Sequence, residues 1–516
     1  MSLRLLRAAT LLAAAVSATF ATAAIAADAA ADPPSVVGRL AVAEGQVRIT
    51  GDYGDETVGA QVNWPVTSHN VVTTARGART EIRVGSTSVR LDGDTSLEVT
   101  ELDDDSVRLR LNYGSVNVRV RSSEVIRGFE LETPNGVVRL QEPGAIRVDS
   151  ERVPGITAVT ALLGTALVND RGGQLIVRAG KRLEVGDDIR TSAAQRDDFD
   201  DWSYQRDQYE ERSQSARYVT TDMTGYEDLD RYGVWRDDAE YGALWLPTTV
   251  GADWAPYRDG SWTWISPWGW TWVDNAPWGY APFHYGRWVQ VNQRWAWAPG
   301  RRAERPVWAP ALVGWVGGSN WNLNFNSGGR RTLPATGWYP LSPRDAFVPN
   351  YRLSNDHLQR INRDHDGRRR NDRDGHDGRD GRDGRGDHQR QGLTVVPQAQ
   401  FGQRGTVAVR NAPRTSGPLA NLPSGAVAGA APAAPAAPAG VVVQRERMDR
   451  DAWERNRPRR PELNNLPRTQ TPAGQSAPAS AAPSPLAQGT PWRRDEERVR
   501  AQAAPAAQAP APATLQ

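Results

Sequence analysis

The sequence predicts an all-β fold: an antiparallel or wound β domain, a tryptophan-rich domain of β-hairpins, a helix that joins them, and a disordered C-terminal tail. Apolar and polar residues alternate in short runs over residues 36–190, and a period of two is typical of strands with one buried face. Residues 202–338 contain 17 of the 20 tryptophans, many in Trp-x-Trp pairs. After residue 412 the composition turns to alanine and proline, which offer little for a core.

The first 26 residues have the pattern of a secretory signal peptide. Arg4 and Arg7 precede an apolar run over residues 8–20, and residues 24–26 (Ala-Ile-Ala) form a small-x-small cleavage site. We expect cleavage after residue 26 and a periplasmic or secreted protein. No later window reaches the roughly 20 apolar residues that cross a bilayer, so we expect no membrane span after cleavage. The chain has no cysteine, which excludes disulfides and thiolate metal sites.

The overall charge gives no indication of a nucleic-acid partner. The chain has 62 Lys and Arg against 60 Asp and Glu, a formal net charge of +2. Nucleic-acid binding depends on an excess of basic residues that neutralise phosphates, so we expect none here. A partner attracted by charge would have to bind a local patch of charged residues.

Residues 36–190 carry strand and turn signals in regular alternation. Apolar residues recur at every second position at Ile82 and Val84, and again over residues 107–111 and 116–120. Turn sequences such as Asp-Gly at residues 92–93 separate these runs. We therefore expect an antiparallel sandwich or a wound β structure.

Several short motifs follow one another along this first domain, at residues 71–74, 79–84, 88–91 and 113–116, and the most specific is Thr-Pro-Asn-Gly at residues 133–136. Together they resemble the periplasmic domain of FecR, the ferric-citrate regulator. Proline fixes one backbone angle and Asn-Gly supplies positive φ, so we interpret these four residues as a structural turn. The resemblance implies an all-β, periplasmic protein-interaction module. FecR itself carries a membrane helix ahead of this domain, where this chain has a cleavable signal, so we expect no transmembrane signalling by this chain.

Residues 193–217 are predicted to form a helical linker. Phe199, Trp202 and Tyr209 recur at spacings of three and seven, which is typical of one face of a helix. Acidic residues are concentrated early in the segment, where the helix dipole favours them. We expect this helix to join the two β domains.

Residues 218–362 repeat one pattern, a turn followed by an aromatic strand. It occurs at residues 260–265, 269–273, 286–291 and 293–298, and each copy is predicted to form one arm of a hairpin. Tryptophans two apart on a strand project to the same face, so we expect the pairs to stack into a continuous aromatic surface. The six candidate partner-contact aromatics are Trp262, Trp264, Trp270, Trp272, Trp295 and Trp297.

Two interpretations of these rings remain open. Each packed indole buries about 150–250 Å², so a domain with all its tryptophans in water would be insoluble, and most of the rings must form a core. The alternative is that a few rings form a flat strip. Such a strip stacks against sugar faces or a peptide while the indole N–H groups donate hydrogen bonds.

The tryptophan-rich region contains long stretches of characteristic sequence at residues 224–235, 254–264, 268–288 and 337–344. In these stretches it resembles an uncharacterised family of exported bacterial proteins in which a Trp/Tyr/Pro-rich domain follows a FecR-like domain. The resemblance implies an architecture and a compartment, and it carries over no reaction, cofactor or catalytic residue.

The sequence contains no clear motif of enzyme chemistry. It shows no phosphate-binding glycine loop, metal-binding histidine pair or nucleophile elbow, so we expect no catalytic residue, no cofactor and no metal site. His284, between two aromatic residues, is interpreted as structural. One enzymatic alternative is a glycan hydrolase with Asp259 and Asp274 as paired carboxylates, although turns explain both residues more simply.

Residues 363–516 are predicted to form a disordered, low-complexity tail. A balanced run of arginine and aspartate occupies residues 362–390, and Ala/Pro-rich spacers follow. Segments of such low hydrophobicity cannot offset the entropy lost on ordering.

These features favour an exported, non-enzymatic interaction protein that binds an envelope protein or a cell-wall glycan. An alternative, which depends on the FecR likeness alone, is an adaptor that works with a separate membrane regulator.

Overall fold

The computed structural model describes residues 32–50, 57–317, 321–323, 332–363, 392–402, 407–408, 427–428 and 431–433. The predicted signal peptide and most of the predicted tail lie outside the described residues. Within them the fold is all-β, as the sequence predicts.

The first domain consists, in the described residues, of seventeen strands and one short helix. The strands are β1 (Gly38–Glu44), β2 (Val47–Thr50), β3 (Thr57–Gly59), β4 (Pro65–Val66), β5 (Val71–Thr74), β6 (Arg79–Val84), β7 (Thr87–Leu91), β8 (Thr95–Leu102), β9 (Val107–Val120), β10 (Phe129–Thr133), β11 (Gly136–Leu140), β12 (Gly144–Ser150), β13 (Thr157–Leu163), β14 (Thr165–Asp170), β15 (Gly173–Arg178), β16 (Lys181–Val185) and β17 (Ile189–Ala193). Helix α1 (Ser123–Ile126) lies between β9 and β10.

The long strand β9 belongs to two sheets. In sheet A the order is β4-β1-β6-β7-β9-β12-β13-β16-β17, with antiparallel pairing throughout. In sheet B the order is β3-β2-β5-β8-β9-β10-β11-β14-β15, and only the β9–β10 pair of these is parallel. The strand passes between the sheets at Gly114, whose φ is +106°. A Cβ there would lie 2.4 Å from Thr95 Oγ1, so the crossing requires glycine.

The core of the first domain lies between sheets A and B. Ile82 and Val84 of β6 and Leu97 and Val99 of β8 are buried in one cluster, which confirms that alternate residues of these strands face inward. The predicted turn at residues 133–136 joins β10 to β11. There the Thr133 hydroxyl donates a hydrogen bond of 2.9 Å to the Gly136 carbonyl oxygen, in keeping with a structural role.

Helix α2 (Asp198–Glu211) occupies the middle of the predicted helical segment. It begins after Asp197, whose carboxylate accepts hydrogen bonds from two backbone N–H groups of the first turn. The aromatic spacing does not define its buried face, because Trp202 and Tyr209 are only half-buried. The buried residues of α2 are Phe199, Asp200, Ser203, Asp207 and Glu210. The helix thus turns mainly polar side chains inward.

The second domain contains twelve strands and three short helices in the described residues. The strands are β18 (Gly233–Asp238), β19 (Gly242–Pro247), β20 (Gly260–Ile265), β21 (Gly269–Asp274), β22 (Arg287–Val291), β23 (Arg294–Ala298), β24 (Val313–Gly317), β25 (Asn322–Leu323), β26 (Leu333–Pro340), β27 (Thr394–Pro397), β28 (Val407–Ala408) and β29 (Val427–Ala428). The helices are α3 (Leu229–Tyr232), α4 (Ala281–His284) and α5 (Asn355–Ile361).

The predicted aromatic hairpins form, but they belong to different sheets. Strands β20 and β21 pair with each other and with β28, whereas β22 and β23 lie in the sheet β18-β19-β23-β22. A third sheet contains β24, β25, β26, β27 and β29. The expectation of one continuous aromatic surface is therefore wrong, because backbone pairing does not join the two hairpins.

Strand β27 corrects the start of the predicted tail. Thr394–Pro397 lies within residues 363–516, yet it pairs with β26, and Val395, Val396 and Phe401 are buried. Three apolar residues in a short stretch supply enough buried surface to hold this segment against the domain.

Candidate functional site

Four of the six predicted contact tryptophans are buried. Trp262, Trp272 and Trp297 are 0% exposed, and Trp270 is 6% exposed. A partner has no access to these four rings in this fold. Trp264 and Trp295 are half-buried and keep part of their surface in solvent.

Many indole N–H groups donate hydrogen bonds inside the second domain. Each of these bonds ties an element or connection to the aromatic core, which identifies the donors as structural. The donor and acceptor pairs are Trp245 to Leu229 O (3.0 Å), Trp288 to Pro282 O (2.8 Å), Trp297 to Tyr285 O (2.9 Å) and Trp338 to Tyr257 O (2.9 Å).

The proposed hydrolase carboxylates lie at the open end of the β20–β21 hairpin, opposite its turn. Asp274 is buried, and its carboxylate accepts hydrogen bonds from Trp272 Nε1 (3.0 Å) and from the Ala276 backbone N–H (2.9 Å). Asp259 accepts a hydrogen bond of 2.9 Å from the Asn275 side chain. Because Asp274 is sealed from solvent and held by its neighbours, the arrangement supports turn roles rather than two carboxylates across a glycan cleft.

His284 is also buried, and its surroundings match the structural interpretation. Its Nδ1 lies 2.8 Å from the Ala309 carbonyl oxygen, and its ring stacks on Trp308 with centroids 4.9 Å apart. Burial lowers the pKa of His284 to about 3, so the ring is neutral at physiological pH.

We expect the free energy of unfolding of the parent protein to fall between pH 6.5 and pH 8. In the Asp274→Asn variant this fall should be absent. Burial raises the pKa of Asp274 from 3.8 to about 8. A raised folded-state pKa contributes stability that is complete below pH 3.8 and is lost as the pH rises towards 8. His284, with its lowered pKa, gives the opposite trend, but that trend ends at its unfolded value of 6.5.

In the remaining window the parent should lose up to about 2 kcal/mol of unfolding free energy, at about 1.4 kcal/mol per pH unit. Urea unfolding of both proteins at pH 6.5 and pH 8 measures this difference. Equal losses in the parent and in Asp274→Asn would show that Asp274 is ionised in the folded protein throughout.

A groove of about 210 Å³ opens beside the half-buried Trp254 and Trp295. It lies between the loop before β20 and the β22–β23 hairpin. Its polar lining side chains are Asp253, Arg258, Gln290 and Gln293. Two aromatic faces with hydrogen-bond donors and acceptors around them make this groove our candidate binding site.

Local backbone geometry positions both walls of the groove. Asn292 and Gln293 have φ values of 52° and 61°, as a two-residue hairpin turn between twisted strands requires. This turn places Gln293 beside Trp295. On the other wall, Trp254 packs in T-shaped geometry with Trp278 and Trp288, at centroid distances of 5.8 Å and 5.5 Å. The sequence marked Trp295 but missed Trp254, because Trp254 lies in a loop and belongs to no Trp-x-Trp pair.

A buried ionic network, which the sequence analysis also missed, joins α2 to the outer face of sheet A. Charged residues alternate with core residues on β6, β7, β9 and β12, so they share the face opposite the core. The helix carboxylates at spacings of three and seven meet them. The pairs are Arg83–Glu210 (2.6 Å), Arg90–Asp207 (2.8 Å), Arg119–Asp207 (2.9 Å), Arg121–Glu210 (2.7 Å) and Arg147–Asp200 (2.9 Å).

Glu81 of β6 lies at the centre of this network. Its side chain is fully buried and forms ion pairs with Arg83 (3.0 Å), Arg90 (3.4 Å) and Arg206. Burial alone would raise the pKa of Glu81, but the attraction of Arg90, Arg206 and Arg83 holds it well below its usual range. The carboxylate is therefore ionised inside the protein.

Polar contacts from the first domain also hold the second domain. Arg39 forms an ion pair with Asp228 (2.5 Å) and donates a hydrogen bond of 2.6 Å to the Pro277 carbonyl oxygen. Asn63 donates to the backbone carbonyl oxygens of Asp274 (2.9 Å) and Ala276 (2.7 Å). These side chains bind the turn after β21, so the aromatic domain packs against the first domain through specific polar contacts.

The fold defines an all-β protein in which a two-sheet domain precedes a domain with a tryptophan core. Residues 70–167 match the family model described as FecR protein, and residues 226–345 match the model of DUF6600, a family of unknown function. The chain thus contains a FecR domain followed by a DUF6600 domain, which confirms both resemblances seen in the sequence. No curated protein matches the chain.

Two crystal structures of a proposed anti-sigma factor from Parabacteroides distasonis ATCC 8503 are similar to part of the chain. The sequence identities are 16% and 17%, and the TM-scores are 0.23 and 0.22. The alignments cover 26% and 24% of this chain and 64% and 59% of those chains. The chain therefore spans less than two thirds of the length of these relatives.

No helix in the described part of the chain is long and apolar enough to cross a bilayer. The same residues contain no group of three His, Asp or Glu side chains placed to hold a metal ion.

Proposed function

We propose that this protein is an exported, non-enzymatic interaction protein of the cell envelope that binds a neutral glycan in the groove beside Trp254 and Trp295. The observation that carries the proposal is the pairing of two half-buried indole rings with a mixed set of polar side chains. Most other tryptophans of the domain form the core, so solvent-accessible indole surface is concentrated at few places.

The chemistry of the groove suits sugar hydroxyl groups. A hydroxyl both donates and accepts hydrogen bonds, so a site that binds it needs acceptors as well as donors. Asp253 supplies acceptors, Arg258 supplies donors, and the amides of the two glutamines supply both. Indole faces supply flat apolar surface for the C–H faces of a sugar ring. The volume is below the roughly 300 Å³ at which drug-sized pockets begin, which favours one unit of a longer chain.

We expect Trp295→Ala to weaken glycan binding by about tenfold or more, equivalent to about 1.4 kcal/mol. The ring forms one wall of the groove and lies on an outer hairpin, so its loss should spare the fold. Isothermal titration calorimetry of the full mature chain with chitohexaose, cellohexaose and maltohexaose measures the effect.

Trp264→Ala is the matched control, because Trp264 is also half-buried but does not line the groove. Its affinity should equal that of the parent. Absence of binding to all three neutral oligosaccharides by the parent, or equal affinity of Trp295→Ala and the parent, would refute the glycan site.

The FecR domain favours a second candidate function, an adaptor in envelope signalling that works with a separate membrane regulator. Cross-linking in intact cells that produce the protein tests this candidate. Reproducible recovery of one membrane regulator supports it, and its absence from the cross-linked products counts against it.

A further inference from the structure

A second cleft, of about 420 Å³, is lined mainly by positive charge. Its walls come from the segments before β18 and after β23, the β18–β19 turn and helix α5. Glu240 is the one carboxylate among its described lining residues. The arginines that line it are Arg287, Arg301, Arg302, Arg305, Arg360 and Arg363. This local excess stands out in a chain whose net charge is only +2.

Several of these guanidinium groups are fixed by the fold. Arg287 is 9% exposed and donates to Gly286 O (2.8 Å) and Asn362 Oδ1 (3.0 Å). Arg305 forms an ion pair of 2.9 Å with Glu124 of the first domain, which anchors the loop after β23. These fixed groups add positive electrostatic potential to the cleft.

Two arginines at the cleft are placed to bind an anionic ligand. Arg302 and Arg363 are exposed, and neither forms an ion pair with a carboxylate among the described residues. Apolar side chains lie beside them in the same cleft. Val219, Met223 and Tyr285 are 1%, 6% and 5% exposed and contribute to its lining.

We propose that this cleft binds an acidic peptide segment of a partner protein, with carboxylates at Arg302 and Arg363 and an apolar side chain against Met223. Guanidinium groups donate hydrogen bonds and accept none, so the ligand must be rich in acceptors. A neutral sugar would leave its own hydroxyl donors poorly matched here, in contrast to the Trp254–Trp295 groove. Methionine adapts its shape to aliphatic partners, which suits a peptide more than a bare anion.

The test uses a fluorescein-labelled hexapeptide of alternating glutamate and leucine, and its glutamine counterpart, with the full mature chain. Fluorescence anisotropy should show binding of the acidic peptide that weakens by about tenfold in Arg302→Glu/Arg363→Glu. The control is Arg171→Glu/Arg178→Glu, which makes the same charge change at two exposed arginines of the first domain outside the cleft. This control should bind within about twofold of the parent.

Equal binding of the acidic and glutamine peptides, or equal binding by the parent and the cleft variant, would overturn the proposal. Polyphosphate and polygalacturonate serve as competing anions. If they bind in the cleft and the peptide does not, the cleft is an anion site of another class and the peptide assignment is wrong. None of these outcomes affects the glycan-binding test of the groove beside Trp254 and Trp295, which uses a different ligand and a different site.

Discussion

Glu81→Gln is expected to destabilise the folded protein by about 3–5 kcal/mol, or to prevent folding altogether, because breaking a buried ion pair leaves uncompensated charge. The Glu81 side chain is fully buried and contacts Arg83, Arg90 and Arg206. Glutamine keeps the shape of the side chain but removes its negative charge. The positive charges of the three guanidinium groups are then no longer fully balanced. Urea unfolding followed by circular dichroism measures the loss.

The matched control is Glu98→Gln, the same substitution on β8 in sheet B of the first domain. The Glu98 side chain is 22% exposed and forms an ion pair of 3.1 Å with Arg110, which is 29% exposed. Solvent screens such a pair, so its loss should cost less than about 1 kcal/mol. Similar losses for both variants would show that the network around Glu81 is solvated and contributes little.

Trp262→Ala is expected to cost about 3–5 kcal/mol, the usual range for truncating a fully buried aromatic ring. Trp262 is 0% exposed, and its ring centroid lies 4.6 Å from that of Trp315, 5.2 Å from that of Trp272 and 5.4 Å from that of Trp338. Removing it opens a cavity at the point where β20, β21, β24 and β26 meet. Thermal and urea unfolding of the full mature chain measure the cost.

Trp264→Ala, two residues along the same strand, is the comparison for this prediction. Trp264 is half-buried, and its ring contacts Trp270 next to the turn of the hairpin. Because Trp264 is only partly buried, the loss of unfolding free energy should be about half or less of that for Trp262→Ala. A larger loss for Trp264→Ala would contradict the assignment of Trp262 to the core.

The local pattern of the sequence predicts individual hairpins well but not how they assemble. Strands β20 and β21 match the predicted arms because alternation and turn residues act over a few positions. Which sheet each hairpin joins depends on pairing between distant segments, such as Trp245 of β19 opposite Trp297 of β23. No periodicity within either strand specifies that pairing.

The helix α2 and strand β27 show two other limits of sequence reasoning. The spacing of aromatic residues in α2 competes with the spacing of Asp200, Asp207 and Glu210, and the carboxylates are buried because sheet A presents arginines to them. Strand β27 is too short to stand out from the polar sequence around it. It is ordered by pairing with β26, a partner that the sequence does not mark.

The candidate site was only partly accessible to sequence reasoning. Trp295 was among the predicted contact residues, and its place opposite Gln290 on the β22–β23 hairpin follows from local register. Trp254 and Asp253 reach the same groove from a loop whose path depends on packing against Trp278 and Trp288. Burial of Trp262, Trp270, Trp272 and Trp297 follows from the packing of the whole domain, where they belong to one aromatic cluster.

Iodide quenching of tryptophan fluorescence, with and without chitohexaose, tests most directly whether the groove beside Trp254 and Trp295 is the glycan site. In the full mature chain we expect a small quenchable fraction, because most indoles of the second domain are buried. The sugar should protect part of that fraction in the parent and none of it in Trp254→Phe/Trp295→Phe. Unchanged quenching on addition of sugar, or equal protection in the double variant, would contradict a glycan-binding role for this groove.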